Sequence, residues 1–258
     1  MTTRMDSEPM HDSPMTLPWT LIEFRQYTLH PGQRDTLIDL FEREFVESQE
    51  ALGIGVIGQF RDLDDPNQFV WLRGFRSLAA RGAALAAFYD GPVWKVHRQA
   101  ANATMLDSDN VLMLRPVAAT AEPPHEVDGG DGTSRHLERP GRIVVVTLRY
   151  VEPEVLDEFA SFFETTMRPV LEAAGASIFS TLRTATVTNN FPRLPVREGE
   201  YVFVWLTAFD DVAAHETFRA ALARGDDWRA SASPQLLRQF MRRPETLRLA
   251  PTPRSRLR

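Results

Sequence analysis

The chain has 258 residues, 43% of them hydrophobic, and a formal net charge of −6. That is enough chain and apolar content for two ordinary domains, while the acidic balance argues against nucleic acid or an anionic membrane as the main partner. With no cysteine and Lys95 as the sole lysine, disulfides, thiolate metal ligands, iron–sulfur clusters and a cysteine nucleophile are excluded, and a Schiff base would have to form at Lys95.

Residues 1–19 hold Asp6, Glu8 and Asp12 among Ser, Thr and Pro. This reads as a disordered tail on a cytoplasmic protein, not a secretory or mitochondrial leader. No apolar run reaches the roughly 18 residues that a membrane helix needs. Residues 21–29 alternate like a strand, with Ile22, Phe24 and Gln26 on one face and Glu23, Arg25 and Tyr27 on the other. His30-Pro31-Gly32 supplies turn chemistry. Leu37, Leu40, Phe41, Phe45 and Val46 then fall on one face of a helix over 33–51, closed by Gly53 and Gly55. Strands follow at 54–61 and 68–75, around a turn at 62–67. Ser77 reads as the N-cap of a helix over 78–89. After Gly91-Pro92, a shorter helix at about 93–104 carries Trp94, His97 and Arg98, and a strand at 111–115 ends at Pro116.

Residues 117–140 have no periodicity and several Pro and Gly, the composition of a linker. His125 and His136 lie within it. Beyond the linker the pattern returns: strand 142–150, helix 153–174, strand 176–187, a long turn at 188–199, strand 201–209, helix 211–223, a short helix marked by Trp228, and strand 245–249. The repetition shows at residue level. Residues 69–94 and 203–228 align without a gap and share 11 of 26 positions, including Phe69/Phe203, Trp71/Trp205, Phe75/Phe209, Gly91/Gly225 and Trp94/Trp228. Each half has the order β-α-β-β-α-(α)-β. The fold class read from this is α+β: two tandem ferredoxin-like units packed sheet-to-sheet as an intramolecular pseudo-dimer. The boundaries are a tail at 1–19, a first unit at 20–116, a linker at 117–140, a second unit at 141–251 and a tail at 252–258. Packed as a barrel or a sandwich, the two sheets are expected to leave a cavity between them, and small-molecule sites favour such places.

The first half resembles a NIPSNAP-type domain of the dimeric α/β-barrel superfamily. The resemblance is carried over roughly 21–115 by Glu23 to Leu29 with Pro31-Gly32, by Gly55 and Gly58-Gln59-Phe60, by Asn67, Trp71 and Phe75 with Ser77-Leu78 and Arg81, and by Trp94. In the second half Val144, Val146 and Leu148 are taken as the counterparts of Glu23, Arg25 and Tyr27, so the polar signature is missing there. The superfamily includes cofactor-free monooxygenases, polyketide cyclases, lactone isomerases and heme enzymes, and fold does not choose among them.

The candidate catalytic residues are Arg25, Tyr27, Glu23 and His97. Placed on the inter-sheet side, Arg25 would bind a carboxylate, phenolate or enolate oxygen, Tyr27 would be a hydrogen-bond donor or acid, and Glu23 the base or the residue fixing Arg25. The alternative is a salt-bridge network holding the halves together. His97 is a candidate base or axial heme ligand, or a partly exposed helix residue. Gln59, Arg61, Trp71, Arg73, Trp94 and Trp205 are the candidate substrate-binding residues, with Trp71 and Trp205 equally readable as packing. His215, the match of Arg81, is expected at the surface. No histidine pair has metal-ligand spacing, and no Gly-rich phosphate loop or Gly-x-Ser-x-Gly elbow is present, so neither a metal nor a nucleotide is expected.

The reading is a cofactor-independent enzyme of specialised or catabolic metabolism that holds an aromatic or polycyclic molecule and carries out cyclisation, isomerisation or oxygenation. A non-catalytic binding or scaffold protein, and a heme protein, are the alternatives. The expected partner is a small aromatic substrate, with no nucleic acid and no membrane, and the assembly is a monomer or a homodimer paired at exposed sheet edges.

Overall fold

The computed structural model describes residues 18–117, 141–225 and 243–257. The expected N-terminal tail up to residue 17, the linker from 118, and Trp228 with its short helix lie outside the described residues. So do His11, His125 and His136.

The first half runs β1 (Leu21–Leu29), α1 (Arg34–Leu40), a π-turn (Phe41–Phe45), α2 (Val46–Glu50), β2 (Gly55–Asp62), β3 (Gln68–Phe75), α3 (Leu78–Tyr89), α4 (Pro92–Asn102) and β4 (Met105–Pro116). The second runs β5 (Ile143–Tyr150), a short 3-10 turn, α5 (Leu156–Phe162), a π-turn (Phe163–Met167), α6 (Arg168–Ala173), β6 (Ser177–Thr184), β7 (Val202–Phe209), α7 (Val212–Arg224) and β8 (Glu245–Pro251). The single helix expected over 33–51 is thus interrupted by a π-turn, as is its counterpart in the second half. β4 starts six residues earlier than expected, because Asp107, Ser108, Asp109 and Asn110 mask a strand that pairs with Thr28 and Leu29 through shifted register.

All pairing is antiparallel, and the strands close into one barrel in the order β1-β3-β2-β8-β5-β7-β6-β4. Each half contributes four neighbouring strands in the same internal order. Of the barrel or sandwich expected, the two sheets form the barrel, joined at two short seams. Phe60, Arg61 and Asp62 of β2 meet Pro251, Ala250 and Leu249 of β8. Leu114, Arg115 and Pro116 of β4 meet Thr184, Arg183 and Leu182 of β6. The described strands therefore leave no edge of the kind expected to pair two copies.

Among the described residues, the space between the sheets is taken up by side chains and not by the expected cavity. Ile22, Phe24, Val70 and Leu72 point into the barrel with Val144, Val146, Leu148, Val204 and Leu206, and form one buried apolar cluster. An eight-stranded barrel is about wide enough for side chains to fill it. The cluster also corrects the alignment of the halves. Val145 pairs with Thr207 as Glu23 pairs with Arg73, so the counterparts of Glu23, Arg25 and Tyr27 are Val145, Thr147 and Arg149. A slip of one residue exchanges the two faces of a strand.

Both ends of the first sheet are covered by chain read as tail. Trp19 lies over Gly55 and Gly74, which pair across β2 and β3, and a Cβ on either would run into its ring. At the other terminus Thr252, Ser255 and Leu257 are buried, with Leu257 in the barrel cluster and Ser255 Oγ accepting from the Gln59 amide at 3.2 Å. His215 is also a correction: it is buried against Phe209, ring centroids 5.0 Å apart, and burial lowers its pKa. Gly74→Ala is expected to cost about 1–3 kcal/mol by overpacking. Combining it with Trp19→Leu should cost less than the two separate costs added together, as read from chemical denaturation.

Candidate functional site

The outer face of the first-half sheet carries rows of side chains fixed by register. Arg61, Phe69 and Tyr27 form one row, Gln59, Trp71, Arg25 and Val111 the next, and Val56, Arg73, Glu23 and Met113 the third. Glu23, Arg25 and Tyr27 thus share a face, as the alternation of β1 implies. That face lies under the helices rather than between the sheets, which corrects the inter-sheet placement. Tyr27 and Trp71 sit in the apolar layer with Phe41, Phe45, Leu85 and Phe88.

Glu23 is fully buried and is the centre of the group. Its Oε2 accepts from Arg25 Nη1 at 2.5 Å and from Arg73 Nε at 2.8 Å, and its Oε1 accepts from Arg81 Nε at 2.6 Å. All three arginines are at most 1% exposed. Arg25 Nε donates to the Tyr27 hydroxyl at 2.9 Å, and Arg73 Nη1 reaches Gln49 Oε1 at 3.4 Å. Gln49 Nε2 in turn donates to the Phe45 carbonyl of the π-turn at 2.9 Å. Arg81 Nη1 crosses to the second half, donating to Asn189 Oδ1 at 3.0 Å and Asn190 Oδ1 at 2.8 Å. Aromatic faces complete the surroundings: the Arg25 guanidinium lies 5.3 Å from the Tyr27 ring centroid, and that of Arg73 lies 5.2 Å from the Trp71 centroid.

The electrostatics follow from the count of one carboxylate among three guanidiniums. Burial alone pushes the Glu23 carboxyl up, but Arg73, Arg25 and Arg81 more than reverse this and hold it well below the usual carboxylate range. Glu23 is consequently a poor base and acts as the residue that fixes the arginines. Burial pulls Arg25 down, and Tyr27 and Glu23 reverse it, leaving Arg25 raised. Burial raises Tyr27 against the opposing pull of Arg25, so it stays a neutral phenol that accepts from Arg25 and keeps its own proton to donate. Within the arginine group, Arg73 Nη2 makes no hydrogen bond of good geometry but lies 2.7 Å from Glu23 Oε2, whereas Arg81 Nη2 is buried without a partner. Gln59 Nε2 and Oε1 and Trp71 Nε1 are likewise buried without partners.

The remaining candidates lie elsewhere. Arg61 is part-exposed and pairs with Asp35 at 2.8 Å. His97 Nε2 faces Glu44 Oε2 at 3.4 Å and is 27% exposed, away from the Glu23 group. Trp94 is partly buried among Phe45, Phe88 and Tyr89 in the helical layer. Trp205 packs on Phe163, centroids 5.0 Å apart, in the separate cluster of the second half. Arg81, Gln49, Asn189 and Asn190 were not singled out for chemistry by sequence. The helical spacing of Arg81 could have placed it on the inner face of α3, but the asparagines lie more than 100 residues away in the chain and carry no such signal.

Beside this group a groove of about 250 Å³ opens at the β4–β6 seam, lined by Leu112, Met113, residues 184–188 and residues 197–201. Of its lining residues, Met113 pairs with Glu23 across β1 and β4, and Thr188 precedes Asn189, a partner of Arg81. Among the described residues no cluster of three His, Asp or Glu could hold a metal ion, and no helix is long and apolar enough to cross a membrane.

The fold and site define an α+β protein built on a closed antiparallel barrel, with a buried guanidinium group under its first set of helices. Residues 22–120 match the NIPSNAP family model, so the first half carries a NIPSNAP domain. No curated protein matches the chain. Three solved structures are similar over nearly the whole length. One is an anthrone oxidase-like protein, with 14% identity, coverage of 90% of this chain and 91% of that one, and a TM-score of 0.57. The second is a candidate monooxygenase from Lactobacillus acidophilus NCFM, with 11% identity, coverage of 90% and 94%, and a TM-score of 0.53. The third is a candidate monooxygenase from Fusobacterium nucleatum, with 9% identity, coverage of 90% and 92%, and a TM-score of 0.52. At these identities the likeness is one of fold.

Glu23→Gln leaves three buried guanidiniums without a carboxylate and is expected to cost about 3–5 kcal/mol at neutral pH. Because the folded-state pKa of Glu23 is depressed, its stabilisation is complete above the ordinary value of 4.5 and is lost as pH falls below it. Denaturant titrations should show the wild type losing stability below pH 4.5 and the variant losing less. Gln59→Leu removes two unpartnered polar atoms and should raise stability by about 1 kcal/mol in the same assay.

Proposed function

We propose that the protein is an enzyme acting on a small molecule with an ionised or ionisable oxygen, held by the buried arginine group. The observation that carries this reading is the excess of two positive charges around Glu23, with an Arg81 N–H group left unpartnered. Buried charge is ordinarily compensated, and an anionic ligand supplies the compensation. Arg25 then holds the developing oxyanion, and Tyr27 gives a proton or hydrogen bond to it. Glu23 keeps the guanidiniums in place. This suits isomerisation or cyclisation of a substrate that arrives already ionised as a phenolate or enolate, so that no protein base is required, and oxygenation of such an anion by dioxygen is the variant that the names of the fold neighbours suggest. These steps ask only for oxyanion stabilisation and proton transfer, so we read the chemistry as cofactor-independent. In this reading the doubled chain is an internal pseudo-dimer, built so that only one half carries the chemistry, and the protein works in the cytoplasm.

A second reading has its own support. Arg81 bonded to Asn189 and Asn190 ties the first half to the second, as a scaffold network would. The position of His97 against Glu44 gives the heme reading no support.

Native mass spectrometry of protein purified gently from its host should show a bound organic acid or phenol. With that compound as substrate, Tyr27→Phe is expected to bind it and to lose about 10²–10³ in kcat. Unchanged turnover in Tyr27→Phe would take Tyr27 out of the chemistry, and a protein that carries and binds no small anion would favour the scaffold.

A further inference from the structure

We propose that the groove at the β4–β6 seam is the entry and binding site for a small monocarboxylic acid, whose carboxylate reaches the Arg81 edge of the buried group past Met113 and Asn189. The inference rests on reading that group as an anion site. It adds where the ligand sits, how large it is and what charge it carries.

Position comes first. Met113 is both part of the groove lining and the cross-strand neighbour of Glu23. On the other side Thr188 lines the groove, and the next residue, Asn189, accepts from Arg81. Met113 and Asn189 thus link the groove lining to the group that holds Arg81, whose Nη2 is buried and unpartnered. They differ in freedom. Asn189 is fixed, its Nδ2 donating to the Leu194 carbonyl at 2.9 Å and its Oδ1 accepting from the Phe191 amide at 3.0 Å. Met113 is unbranched and repacks easily, so it is the moving side of the passage.

Size and charge narrow the ligand. A volume of about 250 Å³ lies just under the ~300–1,000 Å³ of drug-sized sites, which fits a single ring better than a polycycle. Arg197 also lines the groove but is engaged by Asn110 at 3.0 Å, Tyr150 at 3.2 Å and Glu200. It closes the wall and leaves the anion to Arg81. Glu198 in the same wall repels a multiply charged anion such as phosphate more than a single carboxylate on an apolar body, which passes over Leu112, Met113 and Ala185.

Benzoate is the probe, with neutral benzyl alcohol and inorganic phosphate as comparators, measured by isothermal titration on the full chain. Benzoate is expected to bind at one site, benzyl alcohol at least tenfold more weakly, and phosphate not to compete. Met113→Trp fills the groove and should weaken benzoate at least tenfold. Asn189→Asp sets a carboxylate against Arg81 without changing side-chain size, and should weaken benzoate by a similar factor while leaving benzyl alcohol unaffected. Circular dichroism confirms that each variant is folded. Benzoate binding that survives Met113→Trp but is weakened in Asn189→Asp overturns the groove and leaves the arginine reading in place, whereas binding that survives both overturns the groove and the role of Arg81 together. Displacement of benzoate by phosphate overturns the ligand class. No benzoate binding to the folded wild type overturns both.

Discussion

One carboxylate holds three guanidiniums out of water, and much of the first half is arranged around that constraint. An unpaired buried guanidinium is costly, so Arg25, Arg73 and Arg81 each need an oxygen from Glu23. The need fixes the register of β1 against β3 and the rotation of α3 about its axis. It also explains the thick aromatic layer: Tyr27, Trp71 and Phe75 present ring faces to the cations, and Phe41 covers Trp71 from the helix at a centroid distance of 4.8 Å. Such a group adds little net stability compared with apolar packing of the same volume.

The second half shows the same scaffold without that charge. Val145, Thr147 and Thr207 stand where Glu23, Arg25 and Arg73 stand in the first, and His215 replaces Arg81. Thr207 satisfies its hydroxyl on the Val145 carbonyl at 3.1 Å, and His215 packs between Phe209 and Phe218. The second half contributes through its long loop instead. Asn189 and Asn190 bond Arg81, and Phe191 stacks on Tyr89 at 5.9 Å. Gly82 is needed where Asn190 comes close, since a Cβ there would lie 2.6 Å from its Nδ2. One half carries the charged group and the other shapes its border.

Much of the architecture is legible in the chain because strand alternation and helical spacing are local. The alternation of β1 puts Glu23, Arg25 and Tyr27 on one face, and the repeat around Trp71 and Trp205 gives two like halves. Which face meets the helices is not local. Both faces of β1 are buried in a closed barrel, so burial does not mark the inner side, and polarity misled because the charged face is the one under the helices. Alignment of β1 with β5 failed for a related reason. An apolar strand such as Ile143–Tyr150 matches in either register, and only its pairing with β7 decides between them. The partners of Arg81 from the distant loop, and the seams that close the barrel, depend on contacts that no local pattern records.

The central claim is that the guanidinium group takes an anion. Its most direct test is a crystal structure of the protein grown in bromide, read from the anomalous difference map. The account predicts a peak within hydrogen-bonding distance of Arg81 Nη2, lost in Asn189→Asp. A well-ordered Glu23 group with no anomalous density near any of its three arginines would contradict it and leave the network as the glue between the halves.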